Sequence, residues 1–260
     1  MVLYILTSSL RSLAFLPVAS RRVSAPELPK PVRCRLGRLW GISPTGMIAS
    51  LASGALMGAF YGLGALYAQQ VGLATHQTAQ FMGAVIMGGL VLQWPIGKLS
   101  DMFDRRLVMV GAASATAVVC FLIMGKDVYN GTGLLALGAL FGGLSFTLYP
   151  LAVAYMNDYI DAEDRVPASG GLMISYGIGA SIGPTLGSVA MDFMGASGLF
   201  VFIGAIALAL TVFIAWRITQ RASPPLADQG DYQALQRTSP VVYEMYPDSS
   251  DEEDPDPEDD

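Results

Sequence analysis

Gly97-Lys98-Leu99-Ser100-Asp101-Met102-Phe103-Asp104-Arg105-Arg106 is a short charged stretch between two long runs without formal charge, Thr78 to Ile96 and Leu107 to Gly125. Each run is about the roughly 20 residues that an α-helix needs to cross the hydrocarbon core of a bilayer. A tight turn with three basic groups between two such runs predicts an antiparallel pair of spans and marks one side of a membrane.

Working outward, the same pattern repeats. Six spans are predicted: A from Gly46 to Tyr67, B from Thr78 to Ile96, C from Leu107 to Gly125, D from Gly133 to Met156, E from Gly170 to Phe193 and F from Gly198 to Ile218. The fold class read from this is an all-α membrane protein, with six transmembrane helices over residues 42–218. Composition agrees: 53% of the residues are hydrophobic and 14% charged, and the charges gather outside the uncharged runs. The net charge of −6 says little about the body of the chain. Asp251 to Asp260 holds eight carboxylates, in a tail over 219–260 whose composition predicts disorder.

Ahead of the spans, residues 1–20 form a partial apolar segment. It is interrupted by Arg11 and lacks the basic start and cleavage site of a signal peptide. Residues 21–41 read as a basic polar linker, in which Pro26, Pro29 and Pro31 disfavour a helix. Lys and Arg distribution sets the expected orientation. The linker, the B–C loop, the D–E loop and the tail carry thirteen, and the opposite loops one. Linker and tail are therefore expected on the cytoplasmic side of the plasma (inner) membrane. Trp40, Trp94 and Trp216 fall near that interface.

Inside the spans, small residues recur every fourth position: Gly54, Gly58 and Gly62 in A; Gly138 and Gly142 in D; Gly179, Gly183 and Gly187 in E. Such spacing lets helix backbones approach closely. Pro184, beside Gly183, removes a backbone donor, so E is either a packing helix or a kinked moving part. Polar side chains gather in A, D and E. Tyr61, Ser145, Tyr149, Ser175 and Tyr176 are the candidate cavity-lining residues, although such hydroxyls can equally satisfy neighbouring helices. Spans C and F are the least polar and are expected to face lipid.

No Asp, Glu, Lys, Arg or His lies mid-span, which speaks against a buried proton or ion relay. Asp158 and Asp192 fall at span ends, where water is expected to reach them. His76 reads as a surface residue of the outer A–B loop. Two distant cysteines and one histidine supply no metal site, and no cofactor, enzymatic cluster or nucleic-acid partner is expected.

Gly97-x-x-x-Asp101-x-x-x-Arg105-Arg106 resembles the signature loop of the major facilitator superfamily, with Met102 where the family often has Arg and Asp104 where it often has Gly. Gly179-x-x-x-Gly183-Pro184-x-x-Gly187 resembles the family's fifth-span pattern. The stretch from Ile42 to Trp216 looks like the YcaD-type group of uncharacterised bacterial facilitators. The resemblance implies that A to F are the C-terminal six-helix half, helices seven to twelve, of a secondary transporter for a small solute. Residues 1–20 would then end a preceding helix. It implies a gating latch of Gly97, Asp101, Arg105 and Arg106, against the plainer reading of a turn that only sets topology. It places the cavity along A and D, and implies pairing with a second six-helix half or with a copy of the chain. The alternative is a non-transporting membrane scaffold or a truncated remnant. In the plain chemistry of the loop, Asp101 is expected at the start of a helix, where the dipole favours an anion.

Overall fold

The computed structural model describes residues 36–125, 132–160 and 164–220, together with Ser9, Ser12 and Leu13. The expectations for residues 1–20, for most of the linker and for nearly all of the acidic tail lie outside these. The chain divides into two units at residue 33, and the helices below belong to the second, Cys34–Asp260.

A bilayer offers no partner to a bare peptide group, so apolar runs of this length satisfy their backbones internally as helices. Six long ones form: α2 Pro44–Gln70, α3 Thr75–Met102, α4 Arg105–Ile123, α5 Thr132–Asn157, α6 Arg165–Met194 and α7 Gly198–Gln220. A short helix, α1 Leu36–Ile42, precedes them. The linker prolines lie upstream of α1, so the end of the linker is free to coil, which corrects the helix-free linker. The helices start and stop on local chemistry. Ser43 accepts the Gly46 N–H at 3.2 Å and Pro44 fills the first helical position of α2. Gln77 takes the Ala74 N–H at 2.9 Å, which starts α3 a turn earlier than predicted. His76 is consequently an exposed residue of the first helical turn rather than of a loop. Gly72 and Gly195, with φ of +88° and +70°, form the turns after α2 and α6.

Five of the six long helices are long and apolar enough to cross a membrane; α6, diluted by glycines and hydroxyls, is less apolar. Its packing sets it alongside one of the five. A β-carbon at Gly54, Gly58 or Gly62 of α2 would meet Tyr176, Ala180 or Pro184 of α6, each step advancing four residues on both helices. The two therefore run parallel over several turns. In return, Gly179 and Gly183 of α6 lie on the Leu51 and Ala55 carbonyls of α2. An equivalent parallel pair forms between α3 and α5, where a β-carbon at Gly138 would meet Phe81 and one at Gly142 would meet Val85, again a step of four residues on both helices.

The most extensive packing is α2 on α6, α3 on α5, and α4 on α7. The first helix of each three-helix set packs on the second helix of the other set, and the third helices pack together. This is the exchange expected of two inverted three-helix repeats. The core runs between the sets through Phe60, Tyr67, Phe81, Phe141 and Phe200, which contact edge-on or tilted.

The helices expected to face lipid, C and F, expose large apolar side chains, Val118 and Phe121 on α4 and Leu208 and Val212 on α7, but are not the least buried. Half of the most apolar stretch of α4 is buried and 39% of that of α7, against 22% for α3. Lipid tails are as apolar as leucine, so hydropathy does not sort inner from outer helices; small residues at close contacts do.

At the arginine-rich end, a second apolar cluster joins Leu39 of α1, Met47 of α2, Val153 and Met156 of α5, Ile160, and Ala168 and Leu172 of α6. Leu39 is 5% exposed, which contributes about 1.5–3 kcal/mol for a side chain of that type.

Candidate functional site

The stretch from Gly97 to Arg106 is mostly helix. The α3 helix continues past the membrane-length run to Met102, and only Phe103 and Asp104 separate it from α4. Asp101 therefore lies in the last turn of α3 and not at a helix start. The dipole there is unfavourable to a carboxylate. A cation compensates: Arg105 Nη2 donates to Asp101 Oδ1 at 3.2 Å.

Arg105 begins α4 with a side chain only 2% exposed. Its Nη1 donates to Asp158 Oδ1 at 2.6 Å and to the Ala154 carbonyl at 3.0 Å. The Asp158 side chain is 3% exposed, so the expectation that water reaches it is corrected. Near the end of α5, the Ala154 carbonyl and the Asp158 carboxylate share one guanidinium. A charge pair this deep is held by geometry. Both ions have lost most of their water, and removing one strands the other at about 3–5 kcal/mol.

Arg106 turns the other way. Its Nε and Nη2 donate to Asp104 at 3.2 Å and 2.9 Å, while Asp104 Oδ1 also accepts the Arg106 N–H at 2.9 Å and so caps α4. Asp104 thus supplies the anion at a helix start that Asp101 was expected to supply. Met102 is 61% exposed. Gly97 is buried a turn before Asp101, and its carbonyl accepts the Ser100 hydroxyl at 2.7 Å.

The remaining candidates fall into two groups. Gly179, Gly183, Pro184 and Gly187 all meet α2, and α6 continues as one helix through Pro184. Ser175, 7% exposed, donates to the Met47 carbonyl at 3.0 Å and so ties the same two helices. Ser145 is fully buried within α5. Neither serine lines an open cavity in this conformation. Tyr61, by contrast, is 48% exposed, with its ring 6.2 Å from that of Phe146. Tyr149 and Tyr176 are half-buried, edge to face at 4.9 Å, and bring α5 against α6.

The family model for the Major Facilitator Superfamily matches residues 16–242. The chain belongs to the major facilitator superfamily. Among similar proteins of this superfamily are an uncharacterized MFS-type transporter of Yersinia enterocolitica, 33% identical over 181 residues, covering 69% of this chain and 46% of that protein. The uncharacterized MFS-type transporter YcaD of Escherichia fergusonii is 29% identical over 184 residues, covering 70% and 46%. One of Yersinia pestis is 29% identical over 207 residues, covering 79% and 51%. The chain spans about half the length of the curated relatives it matches. No solved structure matches it.

In this superfamily member, the sequence pointed to the loop charges but not to several contacts around them. Ser50 donates to the Leu172 carbonyl at 2.7 Å, the counterpart of the Ser175 bond. Arg38 Nη2 meets Asp164 Oδ2 at 2.7 Å and its Nη1 meets Oδ1 at 3.4 Å. Asp158 had signalled itself only as the acidic residue ending a span, opposite the loop arginines.

Proposed function

We propose that this chain is one six-helix half of a secondary transporter that moves a small solute by alternating access. The observation that carries the reading is the exchange of helices between two inverted three-helix sets, in a chain of this superfamily. In this scheme the two six-helix halves rock against each other around a site between them, near the bilayer midplane. The exposed tyrosine of α2, Tyr61, and the Tyr149–Tyr176 pair supply aromatic and hydroxyl groups for a polar or amphipathic solute. Ser145 and Ser175 join that lining only if α5 and α6 shift relative to α2.

The gating role falls to Gly97, Asp101, Arg105 and Arg106. Arg105 holds the end of α3 and the end of α5 on one guanidinium, so a movement that separates those ends must break the 2.6 Å bond to Asp158. The arginine-rich end is taken as cytoplasmic, with the protein in the plasma (inner) membrane. The glycine-lined helix α6 is the moving part of this scheme, with Pro184 as its weak point.

A half cannot enclose a cavity alone. The exposed apolar positions of α3 (Ile86, Leu90, Trp94) and α6 (Ile174, Ile178, Ile182) are left for a second six-helix unit or a copy of the chain. A thermal-shift screen on a full-length relative identifies the solute. Uptake of that solute into liposomes is then expected from the paired chain and not from the monomer. Uptake by a demonstrably monomeric chain overturns the half-transporter reading. A paired chain that binds and moves nothing favours the scaffold reading.

A further inference from the structure

The short helix α1 is not needed to cross a membrane, and neither the Arg105 cluster nor the glycine interfaces use it. It is nevertheless held at two independent points. Leu39 is buried among Met47, Val153, Met156, Ile160, Ala168 and Leu172, in a cluster separate from the main core. Arg38, 62% exposed, reaches the Asp164 carboxylate with both terminal nitrogens. Ile160 and Asp164 lie on the same connection, between α5 and α6, whose first part carries Asp158. That connection is thus gripped from two sides, by Arg105 at Asp158 and by α1 at Ile160 and Asp164.

We propose that α1 is a clip that holds the α5–α6 connection in the position where Asp158 meets Arg105. The clip makes the seating of α1 and the integrity of the Arg105 cluster interdependent. The division of labour follows from burial. An exposed ion pair adds little adhesion but sets which residue faces which, whereas Leu39 adds the adhesion. One residue, Ser43, separates α1 from α2. Its N–H donates to the Leu39 carbonyl at 2.9 Å while its hydroxyl caps α2. α1 is therefore joined to α2 with little slack. Loss of the clip frees Ile160 and Asp164 first, and Asp158 two residues upstream next. The inference does not depend on transport, because the coupling is between two parts of one chain at rest.

Hydrogen exchange of the full chain in lipid nanodiscs, read by mass spectrometry, tests it. Leu39→Asn is expected to speed exchange about tenfold in peptides covering 158–172 and about threefold in those covering 101–106, with α4 beyond its first turn and α7 unchanged. Arg38→Asp is expected to give about a threefold rise in the first region. The exchanged pair, Arg38→Asp with Asp164→Arg, is expected to return it to the wild-type rate. Faster exchange at 158–172 without any at 101–106 overturns the coupling. So does an Arg38→Asp effect that the exchanged pair fails to restore, or no effect from either single change. If Leu39→Asn also speeds exchange throughout α7, that variant has lost its fold, and the Arg38→Asp and exchanged-pair results decide alone.

Discussion

The α2–α6 interface and the Arg105 cluster hold neighbouring parts of this protein together by opposite means. Along α2 and α6 almost nothing is charged. Contact is made by absent side chains, with Gly54, Gly58, Gly179 and Gly183 placing backbone on backbone and two serines bonding carbonyls across the seam. At the ends of α3, α4 and α5, one arginine gathers two carboxylates and a carbonyl. The difference teaches where each device suits a membrane protein. Within the lipid-embedded part, close dispersion contact needs no desolvation of ions. At the span ends, outside the hydrocarbon core, gathering charged groups costs less than it would mid-span.

The largest effect is expected at the charged region. Asp158→Ala leaves Arg105, 2% exposed, with only the partly exposed Asp101 as counter-charge, and folding stability should fall by about 3 kcal/mol, the low end for breaking a buried pair. Unfolding in graded denaturant measures this. Asp101→Asn should cost clearly less, since the Asp101 side chain is 33% exposed. Equal losses from the two would mean that Asp158 is not the anchor.

Next comes the neutral region. Gly58→Leu forces a side chain into the Ala180 backbone, with no flexible neighbour to yield. A loss of about 1–3 kcal/mol or more is expected. Gly177→Leu, on the open side of the same α6 helix with nothing within 4 Å, should leave the melting temperature unchanged. If both variants behave alike, the close approach is not what holds α2 to α6.

Smaller still is the cap. Asp104→Ala removes the acceptor for the Arg106 N–H and frees the Arg106 side chain, at about 1 kcal/mol. Hydrogen exchange in the first turn of α4 should report it. Last, Ser175→Ala should cost about 0.6 kcal/mol, the average for a hydroxyl bond between helices in lipid. A loss as large as that from Gly58→Leu would move the seam's stability from packing to hydrogen bonding.

Much of this was legible from residue order alone. The uncharged runs gave the six helices, and the four-residue glycine spacing flagged the surfaces that touch. Two readings failed for physical reasons. The charged stretch looked like a loop because charges usually leave a span, yet α3 continues to Met102, its last turn held by Arg105 reaching back to Asp101. Asp158 looked solvated because it ends a span, yet the fold of α5 buries it on an arginine far away in sequence.

The order of residues by itself determined that the chain forms long membrane-spanning helices and which faces carry no side chains, because hydrophobic length and the lack of a β-carbon are local properties. Only the tertiary structure decided which glycine meets which carbonyl, which carboxylate takes Arg105, and that Arg38 reaches Asp164. Those depend on how helices distant in sequence are laid side by side, and lipid, as apolar as the helices it surrounds, exerts no preference that sequence hydropathy could record.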